Sequence, residues 1–188
     1  MEFWITLLGI VAFIFLFPYA RCFFKRIACA VKIKRLCKRK GYKLYPTHAM
    51  WFFGGKRGQK CDCHIEAPSE VYSITLFGVK NRSNMLIFQG ENKYFIRSFI
   101  VLIHYAHVMF GPIESKLKSL PTYDFDHKFS DEWKGKRQRY ILLLNPVPIS
   151  IRQRSDLGNE CNVNDGDIVN GMELHSLPNL LKNLNNEI

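Results

Sequence analysis

The heptapeptide Lys60–Glu66, KCDCHIE, puts two thiols, an imidazole and two carboxylates within seven residues. Such groups serve three kinds of chemistry. Thiolates and imidazole hold zinc. A carboxylate can hold a divalent cation that activates water. A thiol with a lowered pKa can act as a nucleophile. The spacing argues against zinc, whose structural ligands come as C-x2–4-C followed by a second pair. Here the cysteines are C-x-C, and the further ligands considered, Cys161 and His175, lie far downstream. The alternation reads as a half-buried strand, with Cys61, Cys63 and Ile65 on one face and Asp62, His64 and Glu66 on the other. His64 then points away from both thiols. Lys60 is the one nearby feature that would favour a thiolate. The expectation is two buried thiols in a sheet, with no metal and no cofactor. Cys61, Cys63 and His64 are the residues a metal would have to use, and Asp62 is the catalytic candidate.

The elements around this stretch decide what it can do. RIACAVKIKRLCKRKG predicts a helix, because Cys29, Ile33, Leu36 and Cys37 recur at i, i+4, i+7 and i+8. Gly41 is its natural stop, past a cationic last turn. YKLYP reads as a short strand closed by Pro46, and VYSITLFGV (Val71–Val79) as the strongest strand of the chain. NMLIFQ and KYFIRSF read as a hairpin across Gly90. Residues 98–111 form a continuous apolar run that periodicity leaves open between helix and strand, with Ile, Val, Phe and Tyr leaning it to strand. Residues 114–138 are polar and read as a surface loop. Tyr140–Leu144 is a buried strand stopped by Pro146 and Pro148, and DIVNGMEL a last short strand. The chain closes on an amphipathic helix, capped by Ser176, with Pro178 in its first turn and Leu177, Leu180, Leu181 and Leu184 on one face. This order predicts one α+β domain with a mixed or antiparallel sheet and a C-terminal helix.

A helix, then Gly41-Tyr42-Lys43-Leu44, then Asp62 on one strand before the strong next strand: over about residues 28–80 this arrangement resembles the core of the restriction-endonuclease-like (PD-(D/E)XK) superfamily. In that family an aspartate and a downstream E-x-K hold a divalent metal and activate water. Asp62 matches the first carboxylate. The E-x-K falls on Ser73-Ile74-Thr75, which supplies neither the acid nor the lysine. The resemblance implies the fold and, with the motif degenerate, a domain that contacts nucleic acid without cutting it. Other pairs point to less. His104 and His107 would share a face on a helix and are read as ordinary histidines; Asp165 and Asp167 in NDGD lack the spaced ligands of a calcium loop and are read as a turn. No phosphate-binding loop, dinucleotide glycine motif or serine elbow is present, and Ser73 has no local base.

The remaining signal is at the N-terminus. Phe3–Ala20 is a run of eighteen residues with no ionisable group but Tyr19, flanked by Trp4 and Tyr19. A bilayer-spanning helix takes about 20 residues, with aromatic rings at its ends. A cleaved signal peptide fits poorly, since no cation precedes the run and PYA lacks the small-x-small pattern. Residues 21–60 carry thirteen Lys and Arg and no Asp or Glu. The whole chain is +11, so the positive charge belongs to this segment and the rest is close to neutral. Cations flanking a span stay cytoplasmic. The expected organisation is a transmembrane anchor at 1–24, a basic juxtamembrane helix at 25–41 and a cytoplasmic α+β domain at 42–188, single-pass in the cell membrane with the N-terminus outside. Arg21, Lys25, Arg26, Lys32, Lys34 and Arg35 are the expected lipid-contacting residues, since juxtamembrane cations are drawn to anionic headgroups. The expected partners are the lipid bilayer and its anionic headgroups, with room for a protein partner. Nucleic acid is less favoured, although Tyr42, Tyr45 and Trp51–Phe53 interleave with the cations. The layout resembles that of bacterial membrane-anchored proteins of uncharacterised role. The leading function is a binding or scaffold module at the inner membrane surface, more binding than enzymatic. A degenerate nuclease-like domain and a metal-dependent enzyme at Cys61, Cys63 or His64 are the alternatives.

Overall fold

The computed structural model describes residues 20, 23–47, 51, 61–77, 84–90, 93–104, 107–120, 133–145 and 147–186, with the backbone alone for 99–104 and 107–113. The expected membrane span, save Ala20, and Arg21 lie outside the described residues. Among those described, no helix is long and apolar enough to cross a membrane.

Residues 23–40 form α1. Cys29, Ala30, Ile33, Leu36 and Cys37 are buried, while Lys32, Lys34, Arg35, Lys38, Arg39 and Lys40 are exposed. The helix ends as its sequence predicts. Gly41 takes a φ of +73°, and the Tyr42 N–H donates back to the Cys37 carbonyl at 2.9 Å, the six-to-one bond of a Schellman close.

Three strands follow as an antiparallel meander: β1 (Lys43–Pro46), β2 (Cys63–Glu66) and β3 (Glu70–Phe77). The chain then builds a second sheet before returning. The hairpin β4 (Met85–Gln89) and β5 (Lys93–His104) forms as expected, turning at Gly90. The ambiguous apolar run resolves to strand: β5 continues through it and pairs antiparallel with β6 (His107–Glu114). A short β7 (Lys118–Ser119) also pairs with β5. The chain re-enters the first sheet as β8 (Arg137–Leu144), parallel to β3. It leaves again for β9 (Ser150–Arg154) and β10 (Glu160–Asn162), which join β4, β9 running parallel to it. Finally β11 (Ile168–Val169) and β12 (Met172–Ser176) close the first sheet, β12 parallel to β8. Helix α2 (Leu177–Asn186) follows directly. The first sheet has the order β1-β2-β3-β8-β12-β11 and the second β10-β9-β4-β5-β6. Both are mixed. The parallel crossovers β3-to-β8 and β8-to-β12 run through strands of the second sheet, where helical crossovers are the usual solution.

The result is three layers. Tyr72, Ile74, Ile141 and Leu143 face α1 and α2, meeting Ile33, Leu36, Leu180 and Leu184. Leu142, Leu144, Met172 and Leu174 face the second sheet, meeting Leu86 and Phe88. Burial on both faces explains the unbroken ILLL of β8. Helix α1 and the strands share one core, so the basic helix is a layer of the α+β domain. Each buried Ile or Leu contributes about 1.5–3 kcal/mol of apolar burial.

Candidate functional site

The strand β2 starts at Cys63, two residues later than the alternation suggests, and this rearranges the opening heptapeptide. Both Asp62 and Cys63 oppose Ile74: the Asp62 N–H donates to the Ile74 carbonyl at 2.8 Å, and Cys63 is the register partner of Ile74. Two residues against one make a bulge, which re-aims the preceding side chain. Thr47 fixes the kink from the other side, its hydroxyl donating to the Asp62 carbonyl at 2.7 Å and its N–H at 3.0 Å. The Asp62 carboxylate fills the gap in the ladder, Oδ2 accepting the Leu76 N–H at 2.6 Å. Asp62 is fully buried. It therefore lies within the sheet, serving as a backbone acceptor.

The expected faces are thereby corrected. Cys63 and Ile65 do point to the helices together, but Cys61 does not join them. It lies between the two sheets on the side of His64. Its Sγ is 3.0 Å from His64 Nε2, and His64 Nδ1 is 3.0 Å from the Ser73 hydroxyl. His64 and Ser73 are direct partners across the β2–β3 pair. The sequence reading that Ser73 lacks a local base is thus also corrected. Trp133, expected in a surface loop, is buried with its ring centroid 5.2 Å from that of His64, and Tyr45 meets it edge-on at 5.6 Å.

Thiol, imidazole and hydroxyl in this order have the connectivity of a nucleophile, a base and an orienting group. Their protonation opposes that use. Burial first, and the Asp62 charge second, push the Cys61 thiol up to about 12. Burial pushes the His64 imidazole down to about 4. At neutral pH both are uncharged, whereas a reactive cysteine needs a lowered pKa. The arrangement works as a hydrogen-bond chain, Cys61 to His64 to Ser73, that ties β2 to β3, with Trp133 packed against the His64 ring. Cys63, wholly buried, is likewise pushed up by burial.

The metal candidates are split by the same bulge, Cys61 and His64 on one face and Cys63 on the other. Among the described residues no three His, Cys, Asp or Glu side chains gather to hold a metal. His104 and His107 are register partners at the β5–β6 tip, on two strands instead of one helix face. Asp165 and Asp167 form a turn: Asp167 Oδ2 accepts the Asn164 N–H at 2.7 Å, and Asp165 Oδ1 accepts the Ser176 N–H at 3.0 Å where α2 begins. Asp165 also meets His175 Nδ1 at 3.3 Å. Cys161 is exposed on β10, far in the topology from Cys61.

A different site lies on the helix layer. Lys32, Arg35, Leu36 and Arg39 of α1 line a groove of about 550 Å³ with Pro178, Leu181, Lys182 and Asn185 of α2. Each helix contributes positions i, i+3, i+4 and i+7, one stripe apiece. The ends are pinned where α1 turns into β1. Lys40 Nζ donates to the Asn185 carbonyl at 2.6 Å and the Tyr42 hydroxyl to the Leu184 carbonyl at 3.3 Å, closing the orphan carbonyls of α2. Among the described residues no carboxylate pairs with Lys32, Arg35, Arg39 or Lys182. Of the expected lipid-contacting residues, Lys32, Lys34 and Arg35 are exposed and Lys25 and Arg26 half-buried. Sequence reasoning treated α1 and the last helix separately. The missing signal was the match between their stripes, visible only once both pack on one sheet face. No protein-family model, no curated protein and no solved structure matches this chain.

Proposed function

We propose that the protein is a binding module held at the inner surface of a membrane, anchored by Phe3–Ala20 with its N-terminus outside. One observation carries this reading. Helix α1, which follows the apolar run, buries Cys29, Ile33, Leu36 and Cys37 in the domain core and presents Lys32, Lys34, Arg35, Lys38, Arg39 and Lys40 to solvent. Cations next to a span are attracted to anionic lipid by about 1 kcal/mol each near the surface. The same helix is fixed to the domain, so the cationic face orients the domain as well. The test is extraction and topology. Full-length protein should remain with the membrane after carbonate washing, and a reporter fused after Ile188 should be active only in the cytoplasm. Neutralising Arg21, Lys25, Arg26, Lys32, Lys34 and Arg35 together should yield some inverted molecules. Release by carbonate, or an external C-terminus in the unaltered chain, refutes the proposal.

A further inference from the structure

Helix α2 carries a single charged residue, Lys182, and that residue lies on the groove stripe opposite Lys32, Arg35 and Arg39. Like charges that converge from two helices repel unless an anion lies between them. The floor is apolar, with Leu36 nearly buried and Leu181 half-buried.

We propose that the groove between α1 and α2 binds the phosphomonoester headgroup of an anionic membrane lipid, with the lipid's glycerol and first acyl carbons over Leu36 and Leu181. The proposal rests on the reading that α1 lies at a membrane surface. Charge complementarity selects the headgroup. A phosphomonoester carries between one and two negative charges near neutral pH and offers three acceptor oxygens. Arg35 can present paired N–H donors to such oxygens, and Arg39, whose Nη2 donates to Asn185 Oδ1 across the groove at 3.5 Å, can present its remaining N–H groups, while Lys32 and Lys182 act as point charges on either side. A phosphodiester headgroup has one charge and fewer free oxygens, so it leaves more of the four cations unmatched. The groove volume lies in the range of small-ligand sites, about 300–1,000 Å³.

The test titrates the full chain, in an uncharged detergent, with dioctanoyl phosphatidic acid and separately with dioctanoyl phosphatidylglycerol. The unaltered protein should prefer phosphatidic acid by about tenfold, the contribution of one added charge-assisted contact. Arg35→Gln with Arg39→Gln should abolish the preference. Lys182→Gln, on the other helix, should weaken it. Lys34→Gln with Lys38→Gln removes the same charge away from the groove, and should lower binding to both lipids while keeping the preference. All these α1 positions are exposed, and unchanged far-ultraviolet circular dichroism would confirm folding. Equal affinity for the two lipids in the unaltered chain overturns the groove, as does equal loss of preference in the two double variants. Inorganic phosphate binding as tightly as phosphatidic acid overturns the lipid source. Carbonate extraction and reporter topology read the membrane placement separately, so the two proposals fail independently.

Discussion

Removing the Asp62 carboxylate separates a structural role from a catalytic one. In Asp62→Ala the Leu76 N–H loses its acceptor, which now stands 2.6 Å away in a site closed to water. A hydrogen bond to a charged group contributes about 1.5–3 kcal/mol net, and leaving a buried donor unpaired brings the cost to the upper part of that range. Asp62→Asn keeps an oxygen in the same place and loses only the charge assistance, so it should cost about 1 kcal/mol. For a chain of this size 1 kcal/mol moves the melting temperature by about 2–4 °C, so the alanine variant should melt about 4–12 °C low and the asparagine variant about 2–4 °C low. Trp133, whose ring centroid lies 5.2 Å from that of His64, contributes to the intrinsic fluorescence that follows the transition, together with Trp4 and Trp51. The measurement is thermal unfolding of the full chain and both variants in an uncharged detergent, alongside incubation of the unaltered chain with DNA and RNA plus Mg²⁺ or Mn²⁺. The expected result is the graded loss of stability and no cleavage by any form. An alanine variant as stable as the parent would refute the ladder role. Metal-dependent cleavage by the parent that disappears in Asp62→Ala would restore the nuclease reading.

Two further outcomes follow from the titrating groups. Hydrogen bonds from Arg97 first, then from Arg154 and Arg152, hold the Glu160 carboxyl down at about 2. A depressed carboxylate stabilises the fold fully above its ordinary value of 4.5, and that stability drains away as pH falls from 4.5 towards 2. The full shift corresponds to roughly 3 kcal/mol, but screening near Arg152 and Glu114, whose side chains are 37% and 41% exposed, reduces it to about 1 kcal/mol. Glu160→Gln should therefore melt lower than the parent at pH 7, with the gap shrinking below pH 4.5 and closing only as pH nears 2; a constant gap across that range would contradict the network. For the thiols, exposed Cys161 should react quickly with a maleimide, while Cys61 and Cys63 should react only on unfolding. With Cys22 and Cys161 both changed to serine, rapid labelling of Cys61 in the folded chain would point to a thiolate activated by His64.

How far the sequence reveals this molecule depends on whether a feature is local. Helix α1 was legible because its apolar residues repeat every three or four positions and Gly41 ends it with a backbone angle other residues resist. The β4–β5 hairpin and α2 were legible for the same kind of reason. The Asn170–Gly171 turn joining β11 to β12, with φ of 51° and 76°, carries the Asn-Gly hairpin signature, which the reading of DIVNGMEL as a single strand passes over. Other features are not local. Placing the bulge at Asp62 requires knowing that Thr47 and Leu76 both reach it, and neither is near it in sequence. Once Glu66 is paired with Val71 across the turn, His64 must meet Ser73, so that contact was derivable from pairing although not from motif. Leu120 and Trp133, buried at the ends of a polar segment, show no periodicity at all.

Helix α1 also explains why charge and core could not be assigned to separate segments. A helix with its apolar stripe on the first sheet must turn its other residues outward, so the thirteen cations of residues 21–60 include a set whose direction is set by Ile33 and Leu36. Charge alone would predict a mobile basic linker, indifferent to which lysine lies where. Packing makes the positions unequal. Lys34 and Lys38 lie off the groove, whereas Lys32, Arg35 and Arg39 line it together with Lys182. Topology and nonspecific attraction to lipid depend on the number of cations; recognition of a headgroup depends on which side of one helix they occupy. Exchanging residues across α1 at constant charge would leave the first unchanged and remove the second.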